Sequence, residues 1–233
     1  MIDLYQFPPG LGVPNPSPFC LKLETFLKLA ELDYRNHYGA DLRNAPKGKM
    51  PYVSINKQVM GDSELIIETL LVSEAESLDS WLSGEEKAMA KAWCRLCNEH
   101  LYWALVYSRW YYPKGWQHIK QVFFKPLPPI IRPIVASLLR RKVKRDLWGQ
   151  GLARHTQEEV WEIADKDLKA ISDFLGNKPF MMGEKPSSAD ASVFGVLANI
   201  CFAKPETPLT VKSHQYPNLA RYCHNIMQTY YDQ

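Results

Sequence analysis

The sequence predicts an α/β N-terminal domain followed by an all-α C-terminal domain, and three observations carry the prediction. Short apolar runs and amphipathic stretches give the first 75 residues the order β-α-β-β-β-α. From residue 82 onward the apolar positions recur at helical spacing, punctuated by prolines. Two predicted helix starts, at Ser17-Pro18 and at Asp62-Ser63, pair a capping side chain with the unpaired N–H groups and partial positive charge of a first turn. Such starts hold anions. At 233 residues and 46% hydrophobic, the chain can bury the cores of two domains, placed at 1–75 and 82–233.

Ile2-Asp3-Leu4-Tyr5-Gln6-Phe7 reads as the first strand, and Leu21, Leu23, Phe26, Leu27 and Ala30 give the helix that Ser17-Pro18-Phe19-Cys20 opens. A second strand is weakly signalled over residues 34–38. Residues 52–60 read as two strands around the turn Asn56-Lys57. Leu65, Ile66 and Leu70 continue as a helix, with Ser63 expected as its cap. Pro51, after an extended residue, is expected to be cis, leaving the backbone groups of Met50 open to a peptide-like ligand. A small, acidic linker spans 73–80. Residues 85–112 form one long helical pattern ending at Pro113, and Pro126, Pro128, Pro129 and Pro133 precede a basic amphipathic segment over 134–145. Further helices are predicted over 158–175 and 190–202, the latter preceded by Ser187 and Asp190 at capping-box spacing.

At this point the chain resembles the glutathione-transferase superfamily along nearly its whole length. The resemblance rests on the Ser17-Pro18-Phe19-Cys20 motif, Pro51, the acidic-Ser pair Asp62-Ser63, and the box at Ser187-Ser188-Ala189-Asp190. It implies a thioredoxin-like domain joined to a helical one. Finer runs are similar to the failed-axon-connections and metaxin-like branch: Leu21-Lys22-Leu23-Glu24-Thr25-Phe26-Leu27, Gly151-Leu152-Ala153-Arg154-His155-Thr156 with Glu158-Glu159, Asp167-Leu168-Lys169-Ala170, and Leu175-Gly176-Asn177-Lys178-Pro179-Phe180. Against the superfamily's usual strand-to-helix connection, the loop at 8–16 is long, and it is expected to overhang the site.

The resemblance implies glutathione as a substrate and assigns the site residue by residue. Ser17 would donate a hydrogen bond to the glutathione thiolate, because the free thiol's pKa of about 8.5 leaves it mostly protonated near neutrality. Cys20, one turn into the helix, competes as a nucleophile for mixed disulfides, against the plainer reading of a thiol packed among Phe19, Leu21 and Leu23. Asp62 would meet the γ-glutamyl ammonium and Ser63 its carboxylate. The backbone beside Pro51 at Met50 would pair with the cysteinyl amide. Lys47 and Lys49 could reach the glycyl carboxylate. Tyr5 adds a hydroxyl on the first strand. Trp103, Tyr107, Trp110, Tyr111, Tyr112 and Trp116 are expected to divide between core and an apolar wall for an electrophile.

Composition narrows the classes further. No start of the charged-then-apolar signal type occurs, and no apolar run approaches the ~20 residues of a membrane span. Five cysteines, an odd number, favour a reducing compartment, so a cytoplasmic location is expected. Cys94-Arg95-Leu96-Cys97 has metal or redox spacing but sits mid-helix with no second pair, and no metal is expected. His100 and His155 read as hydrogen-bonded structural residues. Between His100 and Arg145 lie ten of the 28 Lys and Arg residues and none of the 25 Asp and Glu. That stretch is expected to form a positive, aromatic-lined side of the cleft and, alternatively, a membrane-surface contact if Ile134, Val135, Leu138 and Leu139 face outward. The expected partners are glutathione and a small apolar electrophile rather than nucleic acid, with a peripheral membrane contact and a homodimer both compatible with the sequence. The leading function is a glutathione transferase. A thiol reductase using Cys20 and a non-catalytic metaxin-like interaction protein are the alternatives.

Overall fold

The computed structural model describes residues 1–39 and 42–232. Strands β1 (Ile2–Gln6), β2 (Tyr34–Tyr38), β3 (Tyr52–Ile55) and β4 (Gln58–Gly61) form one sheet in the order β2-β1-β3-β4. β1 runs parallel to β2 and antiparallel to β3, and β3 and β4 form the hairpin. Asn56 and Lys57 both adopt positive φ, 51° and 67°, the primed turn that matches strand twist in a two-residue loop. Helices α1 (Pro18–Leu29) and α2 (Ser63–Ser73) cover the sheet, and Leu4, Val53, Leu23, Phe26, Leu27, Ile66 and Leu70 make its core. A four-stranded N-terminal domain carrying these helices and a helical C-terminal domain together make the two-domain architecture that the sequence predicts.

The cap of α2 differs from expectation. Asp62, not Ser63, is the N-cap: its Oδ1 accepts from the Glu64 N–H at 3.0 Å and the Leu65 N–H at 3.3 Å. Asp62 holds φ at 86°, a conformation that costs a non-glycine residue on the order of 1–3 kcal/mol. A carboxylate reaches two first-turn donors from there, whereas Ser63 lies inside the helix and is buried.

The linker contains a one-turn helix, α3 (Glu76–Asp79), pinned by buried Leu78. Beyond it the long helical pattern is α4 (Gly84–Arg95), a π-helical turn (Leu96–Leu101), α5 (Tyr102–Val106) and a second π-helical turn (Tyr107–Tyr111). Then come α6 (Pro113–Phe123), α7 (Arg132–Gln150), α8 (Gln157–Leu175) and α9 (Ser188–Cys201). Two helices that the sequence reading left unassigned follow, α10 (Pro208–Ser213) and α11 (Pro217–Tyr230). Both open on a proline, whose fixed φ suits the first helical position.

α9 is buried from Ala189 to Cys201 and organises the molecule. Its first turn is tied by Asp190, whose carboxylate accepts from the Ser187 N–H (2.8 Å) and hydroxyl (2.9 Å), the Met181 N–H (2.7 Å) and the Tyr222 hydroxyl (3.0 Å). α1 packs directly on α9. A Cβ at Gly195 would fall 2.6 Å from the Pro18 carbonyl oxygen, so only glycine permits this approach.

The 8–16 loop does not overhang the site. Leu11 and Val13 are buried with Ile119, Phe124, Ala136 and Ala203, and Leu11 accepts a hydrogen bond from the Lys204 N–H at 2.7 Å. Apolar burial against the helical domain outweighs projection into solvent.

Candidate functional site

A cleft of about 480 Å³ opens where the two domains meet. Its walls are the Met50-Pro51 turn with Lys47 and Lys49, the start of α2 at Asp62, Ser63 and Leu65, Phe19 of α1, and Arg95, Asn98, Tyr102 and Trp103 of the helical domain. Residues 47–51 and 62–63 are therefore neighbours, brought together by the hairpin between them. The Met50-Pro51 bond is cis. Asp62 spends one oxygen on its own helix and turns the other to Lys47, 3.9 Å away. The Ser63 N–H is the first-turn donor that Asp62 does not take, and Ser63 belongs to the cleft wall.

Beneath this turn lies a charge relay that sequence reasoning missed. Lys22 of α1 is 2% exposed and its ammonium pairs with Glu64, which also binds Lys91 at 2.6 Å, and Lys91 in turn binds Glu68 at 2.7 Å. Burial alone would raise the Glu64 carboxyl, but Lys22 and then Lys91 overcome it and hold it at about 2. The relay ties α1, α2 and α4 together, and Lys22, Glu64 and Glu68 line the cleft with Ser63. Its side chains also line a second cavity of about 470 Å³ reaching to Cys94 and Ser188. An apolar-looking helix such as α1 gave no sign from spacing alone that Lys22 would be buried.

Ser17 caps α1, its Oγ accepting from the Cys20 N–H at 3.4 Å, and it lies outside the cleft lining. Cys20 is fully buried among Ala45, Met50 and Tyr52, and burial pushes its thiol up to about 11 despite the bonds from Ser17 and the Phe7 backbone. That environment disfavours a thiolate and thus a nucleophile at Cys20. Tyr5 stacks between Tyr52 (4.5 Å) and His37 (4.7 Å), away from the cleft.

Of the predicted aromatic series only Trp103 reaches the cleft. It is joined by Tyr102 and Phe19, whose rings lie 4.7 Å apart across the domain boundary. Tyr107 and Tyr112 instead pack edge-on against Trp161, and Trp110 packs with Trp116 and Phe124. The π-helical turns explain the miss, because each adds a residue and breaks the 3.6-residue repeat on which the face was read. Burial pushes the Tyr102 phenol up, so it stays protonated near neutrality and can donate.

Tyr102 and Trp103 line the cleft from this stretch, but none of its ten Lys and Arg side chains does, so its positive charge lies elsewhere, contrary to expectation. Arg109 is buried and donates to the Pro16 carbonyl (2.6 Å) and to Asn199 Oδ1 (2.7 Å), bracing the α1 loop on α9. Arg140 donates to the Trp110 carbonyl and lies 4.7 Å over the Trp116 ring. Ile134, Val135, Leu138 and Leu139 face solvent. Among the described residues no three His, Cys, Asp or Glu side chains gather as metal ligands, and no helix is long and apolar enough to cross a membrane.

Comparison with known proteins accounts for this arrangement. The family model for the glutathione S-transferase N-terminal domain matches residues 18–115, and that for the glutathione S-transferase C-terminal domain matches 164–226. The chain is 33% identical to the isoprene-epoxide–glutathione S-transferase of Rhodococcus sp. (strain AD45), covering 99% of each. It is 30% identical to Failed axon connections of Drosophila melanogaster over 94% of this chain but 55% of that protein, and 28% identical to human metaxin-2 over 91% and 81%. A glutathione transferase family member from Pseudomonas fluorescens, solved with two glutathione bound, superposes with a TM-score of 0.62 at 16% identity, covering 97% of this chain and 88% of that one. The chain belongs to the glutathione S-transferase superfamily, on its metaxin-like branch.

Proposed function

We propose that this protein binds glutathione in the interdomain cleft and transfers its thiolate to a small apolar electrophile, with epoxides as the favoured class. The observation that carries the reading is the meeting of Lys49, Met50, Pro51, Asp62 and Ser63 with Phe19, Tyr102 and Trp103 around one cavity. An anion-binding helix start thus faces an apolar aromatic wall, which is what a charged thiol tripeptide and an uncharged acceptor require. The likeness to an isoprene-epoxide transferase over the full chain supports the acceptor class.

In this reading the γ-glutamyl carboxylate takes the Ser63 N–H and hydroxyl, and the ammonium takes the Asp62 oxygen that faces Lys47. The Met50 backbone pairs with the cysteinyl amide, and Lys47 and Lys49 meet the glycyl carboxylate. The thiolate reaches past the cleft lining to the start of α1, where the Ser17 hydroxyl donates to it. The sulfur attacks an epoxide carbon, the C–S bond forms as the C–O bond breaks, and the alkoxide takes a proton from water. Holding the thiolate ionised beside the acceptor supplies the rate.

Calorimetric titration with glutathione, followed by a conjugation assay with a small alkyl epoxide, tests both halves. The expected result is saturable binding and turnover. Binding without turnover would favour the second reading, a glutathione-binding interaction protein, which the position of Ser17 outside the cleft lining and the likeness to metaxin-2 support. The proposed location is the cytoplasm, supported by five unpaired thiols. A homodimer belongs to the same reading, with Val59, Leu65 and Val72 exposed on β4 and α2.

A further inference from the structure

The outward face of α7 carries apolar and cationic side chains that nothing in the cleft uses. Ile134 is 59% and Leu138 60% exposed, and Ile130 just before the helix is 85% exposed; Ile131, Val135 and Leu139 are exposed beside them. Following the same face by steps of three and four residues leads from Ile134 and Leu138 to Arg141, Lys142 and Arg145 and then to exposed Trp148. The opposite face is fixed. Ala136 and Leu147 are buried, Arg140 is bonded to the Trp110 carbonyl, and Lys144 lies 4.2 Å over the Tyr111 ring. Arg109, Arg132 and Arg140 of the basic stretch are spent on backbone carbonyls. Arg141, Lys142 and Arg145 have no paired carboxylate among the described residues.

We propose that this face of α7 docks on an anionic lipid bilayer surface, with Ile134, Leu138 and Trp148 entering the headgroup boundary and Arg141, Lys142 and Arg145 on lipid phosphates and carboxylates. A bilayer surface rewards both halves of the pattern, apolar burial and positive charge. Nucleic acid would take the cations but leave the aliphatic side chains without a partner. A second copy would bury the aliphatic side chains but set two acid-free, strongly basic stretches against each other. None of these residues lines the cleft, so the surface and the glutathione site can be tested apart.

The test is flotation of the full chain with vesicles of phosphatidylcholine alone and of phosphatidylcholine with phosphatidylserine, at low and high salt. The expected result is binding to the anionic vesicles only, weakened by salt. Each cation near the surface is worth about a fivefold change in partitioning, so the joint variant Arg141→Ala, Lys142→Ala, Arg145→Ala should bind about a hundredfold less. Leu138→Ser should lose about tenfold through the apolar contact alone. These positions are exposed, so the melting temperature and glutathione affinity of both variants should match the parent. Absence of binding to anionic vesicles at low salt overturns the proposal, as does binding indifferent to both variants. Self-association dispersed by Leu138→Ser, or capture by single-stranded DNA without vesicle binding, would assign the face to another partner and also overturn it.

Discussion

Glu64→Gln probes the charge relay that supports the candidate site. The substitution keeps the shape of the side chain and removes the charge that Lys22 and Lys91 share, leaving the Lys22 ammonium buried without its counter-ion. A carboxyl held at about 2 instead of its ordinary 4.5 contributes at most about 3 kcal/mol to folding at neutral pH. Removing one member of a buried pair costs about 3–5 kcal/mol, and the Glu64 side chain keeps 20% of its surface in water, so about 2–3 kcal/mol is the working figure. In a chain of this size that lowers Tm by roughly 4–12 °C. The pH dependence has a definite sign. The folded-state value is depressed, so the stabilisation is fully present above pH 4.5 and is lost as pH falls toward 2. Urea unfolding of the parent and Glu64→Gln at a series of pH values measures this directly, and the gap between them should be widest near neutrality and narrow steadily in acid. A gap under about 1 kcal/mol at neutral pH, or one that does not narrow below pH 4.5, would refute the reasoning. The paired change Lys22→Met with Glu64→Leu should recover most of the loss, because it removes the buried charge along with its partner.

Three further outcomes are expected. Ser63→Ala should weaken glutathione binding in calorimetry with little loss of stability, whereas Asp62→Ala should lose the α2 cap as well, at about 1 kcal/mol in denaturant unfolding; equal stability losses would restore Ser63 as the cap. Gly195→Ala should destabilise the chain by about 1–3 kcal/mol, because the new methyl lies 2.6 Å from the Pro18 carbonyl oxygen and 3.1 Å from the Lys22 nitrogen and must push α1 off α9; a melting curve unchanged from the parent would mean the helices separate at no cost. Cys20 should resist a water-soluble disulfide reagent in the folded protein and react on unfolding, since its thiol is buried and raised to about 11; rapid native-state labelling mapped to Cys20 by mass spectrometry would revive the reductase alternative.

The local signals of this chain were legible because they depend on neighbours in sequence. The period-2 run at Ile2–Gln6, the turn Asn56-Lys57 between β3 and β4, and the capping spacing of Ser187 and Asp190 each specify backbone geometry within a few residues. The adjacency of Met50-Pro51 to Asp62-Ser63 followed from a hairpin whose length the sequence sets. Other properties depend on which surfaces meet, and spacing does not encode that. Whether Asp62 or Ser63 capped α2 turned on a positive φ at Asp62, and whether Cys20 was exposed turned on the packing of Met50 and Tyr52 over it. The choice of Tyr102 and Trp103 over Tyr107 for the cleft was made by a π-helical turn, and the burial of Lys22 by the arrival of Glu64 from another helix. The outward face of α7 was decided by Arg140 and Leu147 anchoring the opposite side, because a helix that is apolar and basic around much of its circumference states no preference until a partner surface claims one of its faces.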